Sequence, residues 1–371
     1  MKKLMFVMPF LCGGGAERVT AVLASEISLM PGYEVHLAVY KRDSKQEYPV
    51  DEHVRWHTMD LKLSGICALM EKVHFLRSTI RSVQPDCVIS LGGAGIIALL
   101  VLAMTGLRIQ LILSERNDPK SNPKGKLLRM LRKWSYASCD GVVFQTHEAM
   151  EFFSRGIQRK GKVICNPLTG KLPDRFTGVR DKRIVASCRL NAQKNIDLMI
   201  DAFSNVSRRF DDYSLHIYGE GEERQRLEAK IHGMGLDNKV FLEGYSNHIY
   251  DEIWKASMFV SSSNYEGISN SMLEAIAMGI PAVCTDCPAG GARETIVHGV
   301  NGMLVPVRNR EKMVQAMISV LEDGQLAESI SKEGEKLRKA ISKEKIAEQW
   351  VDFANQVAKK YERKENNKSG A

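Results

Sequence analysis

Short apolar runs and longer stretches of helical spacing alternate along the whole of this chain. In the first half, LMFVMPF (4–10) precedes AERVTAVLASEISLM. EVHLAVY (34–40), CVISLGG (87–93), IQLILSE (109–115) and GVVFQT (141–146) come next, with helical patterns between them. That alternation predicts βαβ units around a parallel sheet. Residues 165–182 are rich in Pro, Gly and charge, lack periodicity, and read as a linker. A second series then runs through RIVASCR (183–189), YSLHIYG (213–219), VFLEG (240–244), MFVSSS (258–263), PAVCTD (281–286) and GMLVPV (302–307). In the tail, Ile346, Trp350, Phe353, Val357 and Tyr361 share one helical face. The fold class is therefore α/β, with two doubly wound domains over 1–168 and 169–340. Ligands in such sheets bind beyond the carboxyl ends of the strands, so the chemistry is sought at the strand-to-helix junctions.

The 371 residues are too many for one core, and the composition (44% apolar, 26% charged) is that of a globular protein. MKKLMFVMPFL imitates a secretory leader, but its apolar run is interrupted by Pro9 and leads into glycines, so a first buried strand is expected. The run AGIIALLVLAMTGL (94–107) is short of the ~20 residues that span a bilayer and predicts a buried helix. Eight scattered cysteines, mostly in apolar context, suit reduced thiols in a cytoplasmic protein. Cys284 and Cys287 form a lone CxxC without the second pair that a zinc site needs.

The net charge of +8 lies wholly in residues 1–168, where Lys and Arg outnumber Asp and Glu by 23 to 15; residues 169–371 hold 29 of each. The densest basic stretch, KSNPKGKLLRMLRKW (120–134), interleaves cations with Leu and Trp. An ordinary surface helix is the plainer reading. The sharper one is a helix lying on the anionic inner face of the plasma membrane. Nucleic acid is not expected, because no binding module is recognisable.

Four junctions carry candidate chemistry. LCGGGAERV (11–19) leads three glycines into a helix, whose N-terminus favours an anion; Arg18 stands where a dinucleotide fingerprint would need its third glycine. In ASCRLNAQKNIDLMI, Arg189 ends a strand and Lys194 lies near a helix start, a pair of fixed cations suited to a diphosphate. In HIYGEGEERQRL, Gly219 and Gly221 come directly after a strand. In YEGISNSMLEAIAMGIP, Gly267 turns the chain and Ser269 or Asn270 caps a helix running to about Met278. Glu266 then precedes the helix and Glu274 lies one turn inside it, with phosphate-binding N–H groups near 268–271 between them. Eight helical residues would separate two carboxylates by ~12 Å, too far for one metal ion.

These residues together resemble the retaining glycosyltransferases of family 4. The likeness rests on the Glu-x7-Glu of EGISNSMLE, the Arg189–Lys194 pair, GGGAER and TDCPAGGARE, and it covers essentially the whole chain. SERND (114–118) is similar to a bacterial branch that adds hexoses or N-acetylhexosamines to lipid-linked glycans. The resemblance implies the GT-B fold, two Rossmann-like domains facing across a cleft, with a last helix (343–364) returning to the first domain. It implies a nucleotide-sugar donor, a UDP-sugar by preference, and a glycan or lipid-diphosphate-linked acceptor. Arg189, Lys194 and the backbone of Ile268, Ser269 and Asn270 would hold the diphosphate, and Glu274 the ribose. Glu266 would contact the sugar near its reacting carbon. Gly14 and Gly15 would approach the phosphates, Gly219 would line the donor site, and Val240 and Phe241 would pack near the base. Arg18, Glu115, Arg116 and Asn117 would lie on the acceptor side; the histidine that many members carry there is replaced by SERNDP. With no Asp-x-Asp in the chain, transfer is expected to need neither metal nor cofactor. A nucleotide-sugar epimerase and an inactive nucleotide-sugar-binding subunit are the alternatives.

Overall fold

A computed structural model describes residues 1–42, 47–59 and 64–369, with side chains described as far as residue 359. The chain divides into two compact units, Met1–Thr169 with Ile341–Ala371, and Gly170–Ala340.

The first unit is built on β1 (Lys2–Met8), β2 (Tyr33–Val39), β3 (Arg55–Thr58), β4 (Cys87–Ser90), β5 (Gln110–Glu115), β6 (Gly141–Phe144) and β7 (Gly161–Val163). They form one sheet in the order β3-β2-β1-β4-β5-β6-β7, with every pairing parallel. Helices cover both faces, so strands such as β1, whose Leu4–Met8 are buried, are apolar at successive positions rather than at alternate ones. The Ala94–Met104 helix packs between the Gly65–Val83 and Lys126–Ser138 helices, which explains its apolar run. No helix among the described residues is long and apolar enough to cross a membrane. The last helix, Lys343–Ser369, packs along the Gly15–Ser28 helix and is tied to it by Lys343 and Glu26. Trp350, Phe353 and Val357 form its buried stripe; the side chain of Tyr361 lies outside the described residues.

The second unit repeats the plan with β8 (Asp181–Ser187), β9 (Ser214–Tyr218), β10 (Val240–Gly244), β11 (Ala256–Ser261), β12 (Ala282–Asp286) and β13 (Met303–Pro306). The order is β10-β9-β8-β11-β12-β13, again parallel throughout. Ile184, Ile217, Val260 and Val283 of the sheet share a core with Ile200 and Phe203 of the Ile196–Val206 helix. Both units are thus Rossmann-like. In each, the strand order reverses beside the first strand: between β1 and β4, and between β8 and β11. A crevice opens at such a reversal because the loops on either side leave in opposite directions.

Candidate active site

The β8/β11 reversal brings together two loops, residues 188–195 and 262–269. They are stapled across the gap. The Ser262 hydroxyl lies 2.9 Å from the carbonyls of both Lys194 and Asn195, the Asn264 amide donates to Ala192, and the backbone N–H of Asn264 donates to Gln193. Asn195 turns into the Ile196–Val206 helix with φ of +47°, a conformation that asparagine tolerates. From this junction the Lys194 ammonium reaches the Glu266 carboxylate, and the two side chains are 14% and 16% exposed. The Ser263 hydroxyl holds the other Glu266 oxygen at 2.9 Å. Burial alone would lower the Lys194 pKa, but the Glu266 carboxylate outweighs it and holds the ammonium above its usual range.

The helix after Glu266 runs Asn270–Ala277, and Ser269 caps it by accepting from the N–H of Met272. Glu274 is 4% exposed, one turn inside. Two small cavities meet here. The first is lined by Lys194, Ser187, Cys188 and Ser271, the second by Glu266, Gly267, Thr285 and Cys287. Ser261, Ser263 and Ser269 line both. Hydroxyls, a lysine and a helix N-terminus thus line one space, and such groups attract anions. The thiols beside it are not nucleophiles at neutral pH, because burial pushes Cys188 up to about 11 and Cys287 up to about 12.

Two contacts that the sequence did not announce fix this geometry. A Cβ on Gly291 would lie 1.8 Å from the carbonyl oxygen of Gly267, and the N–H of Glu266 donates to Pro288. The loop after β12 therefore braces the Glu266 turn backbone against backbone. Gly219, at φ +133°, lets the loop after β9 close on the Arg189 loop; a Cβ there would sit 1.9 Å from the Cys188 carbonyl. Gly219 is thus explained by packing of the Arg189 loop. Arg189 itself is exposed, two residues beyond β8.

Val240 and Phe241 are not brought to this edge. They open β10 and pair with Leu215 and His216 at the start of β9, so they lie at the amino end of the sheet. Val240 is in the core, and Phe241 stacks on His216. The carboxyl end of β10 is Gly244, followed by Tyr245 at 75% exposure, the residue that faces the loop side.

Two family models divide the chain between them. Glycosyltransferase Family 4 matches residues 13–169 and Glycosyl transferases group 1 matches residues 175–337. The chain is a glycosyltransferase with a family 4 and a group 1 domain. A Campylobacter jejuni relative, N-acetylgalactosamine-N,N'-diacetylbacillosaminyl-diphospho-undecaprenol 4-alpha-N-acetylgalactosaminyltransferase, is 29% identical over 95% of this chain and 99% of its own. The poly(glycerol-phosphate) alpha-glucosyltransferase of Bacillus subtilis is 32% identical over 59% of this chain and 33% of its own. Among solved structures, Anabaena HepE in complex with UDP and glucose superposes with a TM-score of 0.80 at 16% identity, covering 96% of this chain and all of that one. A mutant of Staphylococcus aureus TarM, in complex with Fondaparinux, alpha-GlcNAc-glycerol and UDP, gives 0.77 at 14% identity, over 96% of this chain and 100% of that one. The fold is GT-B.

In the first unit of this glycosyltransferase, Gly14 caps and Gly15 begins the helix that leaves β1. Arg18, one turn on, donates to the Thr169 hydroxyl. The SERNDP residues turn inward. Glu115 is buried; one of its oxygens accepts from the N–H groups of Arg116 and Asn117, and the other from Arg132 at 3.1 Å and Tyr136 at 3.4 Å. Arg132 also donates to the carbonyls of Asn122 and Pro119. Arg116 donates to Asn166, which Gln145 also holds. Asn117 accepts from the N–H of Asp118. Glu115 and Arg116 therefore shape the loops after β5 and β7 from within. Burial raises the Glu115 pKa to about 7, against the pull of Arg132.

Proposed function

We propose that this glycosyltransferase moves a hexose or N-acetylhexosamine from a UDP-sugar to a lipid-diphosphate-linked glycan that feeds surface-polysaccharide assembly, with retention at the anomeric carbon and without a metal. The observation that carries the reading is the Lys194–Glu266 pair beside the capped Asn270–Ala277 helix, at the strand-order reversal of the second sheet. The bond from anomeric carbon to diphosphate breaks, and its electron pair departs with the phosphate. Lys194, Arg189 and the N–H groups from Ile268 to Asn270 would take up that growing charge, which is where such groups lower a barrier most. They supply the positive charge that a metal would otherwise bring. Glu266 orients the sugar and supports oxocarbenium character, and Glu274 takes the ribose. The Campylobacter relative, whose name specifies a diphospho-undecaprenol acceptor, supports the acceptor class. With a UDP-sugar and a lipid-linked acceptor in EDTA, turnover should fall at least 100-fold in Glu266→Gln, Arg189→Ala and Lys194→Ala. Wild-type rates in all three would contradict the assignment.

Such an acceptor lies at a membrane, and the first unit has a face suited to one. Leu127, Leu128, Met130 and Trp134 are exposed on the Lys126–Ser138 helix, among Lys126, Arg129 and Lys133. No Asp or Glu occurs from residue 119 to 139. Arg132 is not part of this face, because it is buried on Glu115. On the Gly65–Val83 helix, Ile66, Leu69 and Met70 are exposed in the first turns. Anionic vesicles should float the protein in a salt-sensitive way, and Lys126→Glu with Arg129→Glu and Lys133→Glu should abolish it. Equal flotation on neutral lipid would remove this part of the reading.

A further inference from the structure

We infer that Glu266 is an internal competitor for the phosphate site: it occupies Lys194 in the free enzyme, and a nucleoside diphosphate binds only by displacing it. The inference rests on the nucleotide-sugar reading and adds to it a rule for telling donor from spent nucleotide.

The geometry is specific. Lys194 lines the first cavity and Glu266 the second, and their ion pair spans the boundary at which Ser261, Ser263 and Ser269 belong to both. The cation that a diphosphate needs is therefore neutralised from the neighbouring cavity. Glu266 is held in that position from two directions, by the Ser263 hydroxyl and by the Pro288 carbonyl that its own N–H meets. Its turn is fixed in its place by Gly291 pressing on Gly267.

When a diphosphate takes Lys194, the Glu266 carboxylate keeps Ser263 but loses its cation, in a place only 16% exposed and beside new negative charge. A buried carboxylate in that position is costly unless it finds another donor. On that reading an intact nucleotide-sugar brings one in its sugar hydroxyls, which Glu266 orients. A free nucleoside diphosphate ends at the phosphate and brings none. The same carboxylate therefore favours the donor over the product. After transfer it returns to Lys194 and helps to expel the spent nucleotide. Glu266 thereby determines specificity between two ligands that share every phosphate contact.

Titration calorimetry on the full-length protein tests this, with UDP as the probe. Glu266→Gln should bind UDP at least tenfold more tightly than wild type, because Lys194 is released, while affinity for the intact UDP-sugar rises much less or falls. In a Lys194→Met background, the same Gln substitution should give a clearly smaller gain. Unchanged or weaker UDP binding by folded Glu266→Gln would overturn the inference. So would an equal gain with and without Lys194, which would mean plain charge repulsion. UDP binding to wild type with no gain in the variant sinks the competitor alone; no binding of UDP or GDP to either sinks the nucleotide-sugar reading as well. Should Glu266→Gln melt below the assay temperature, Glu266→Asp is one methylene too short to hold Ser263 and Lys194 together and reads the same effect.

Discussion

At the scale of single residues, Glu115 is buried and Glu266 half-buried, and the two carboxylates differ in their partners. Glu266 lines a cavity and pairs with Lys194. Glu115 has all its partners within its own unit. The raised pKa of Glu115 gives a signed expectation. Its folded value is about 7 against an ordinary 4.5. Between those values the folded state keeps a proton that the unfolded chain gives up. The stabilisation is therefore present at low pH and is lost as pH rises through that window, by an amount of order 1–3 kcal/mol. Glu115→Gln should flatten the fall in Tm between pH 5 and pH 7.5; parallel wild-type and variant curves would refute it. Arg132→Met leaves that carboxyl without its cation and frees the Pro119 and Asn122 carbonyls, so a loss of about 3 kcal/mol in denaturant unfolding is expected at pH 8. A change under 1 kcal/mol would mean that water replaces the arginine. The sequence made Glu115 and Arg116 visible as a motif but not their direction. Glu115, Arg116 and Asn117 at the end of β5 read as acceptor-side residues, and the fold shows that Arg132 and Tyr136 hold Glu115 while Asn166 holds Arg116.

At the scale of elements, the apolar runs mark eleven of the thirteen strands among the described residues and miss β3 and β7. Those two are edge strands of four and three residues whose residues are half-buried or exposed, so they carry no continuous apolar signal. The capped helix was legible in full, because Ser269, Gly279 and Pro281 are punctuation with a mechanism. The site's bracing was not legible, since it is made of backbone contacts between segments far apart in sequence. Val240 and Phe241 were misplaced for a related reason. A strand's composition does not say which of its ends faces a ligand; the parallel register with β9 does. The brace itself is testable. Gly291→Ala must move the Gly267 turn, so kcat should drop at least tenfold while far-UV circular dichroism stays native. Normal kcat would mean that the loop after β12 yields without moving Glu266. Gly221→Ala, whose Cβ would lie 2.2 Å from the Leu190 carbonyl, should act likewise through the Arg189 loop.

At the scale of the whole molecule, the same strand order occurs twice, yet the two units carry different surfaces. The net positive charge lies in the first half of the chain, with the exposed leucines and tryptophan of the Lys126–Ser138 helix. The second unit carries Lys194, a group of serines and a helix N-terminus at one cavity. The central claim is that the second unit binds a nucleotide-sugar through Lys194 and Arg189. The most direct measurement is thermal unfolding of the full-length protein in EDTA with UDP-sugars and GDP-sugars in turn, repeated on Arg189→Ala and Lys194→Ala. A ligand at 100 times its Kd stabilises a fold by about 2.7 kcal/mol, a readable shift. The predicted result is a metal-independent rise in Tm with a UDP-sugar that both variants lose. A rise that survives in both, or none with any nucleotide-sugar, would contradict it.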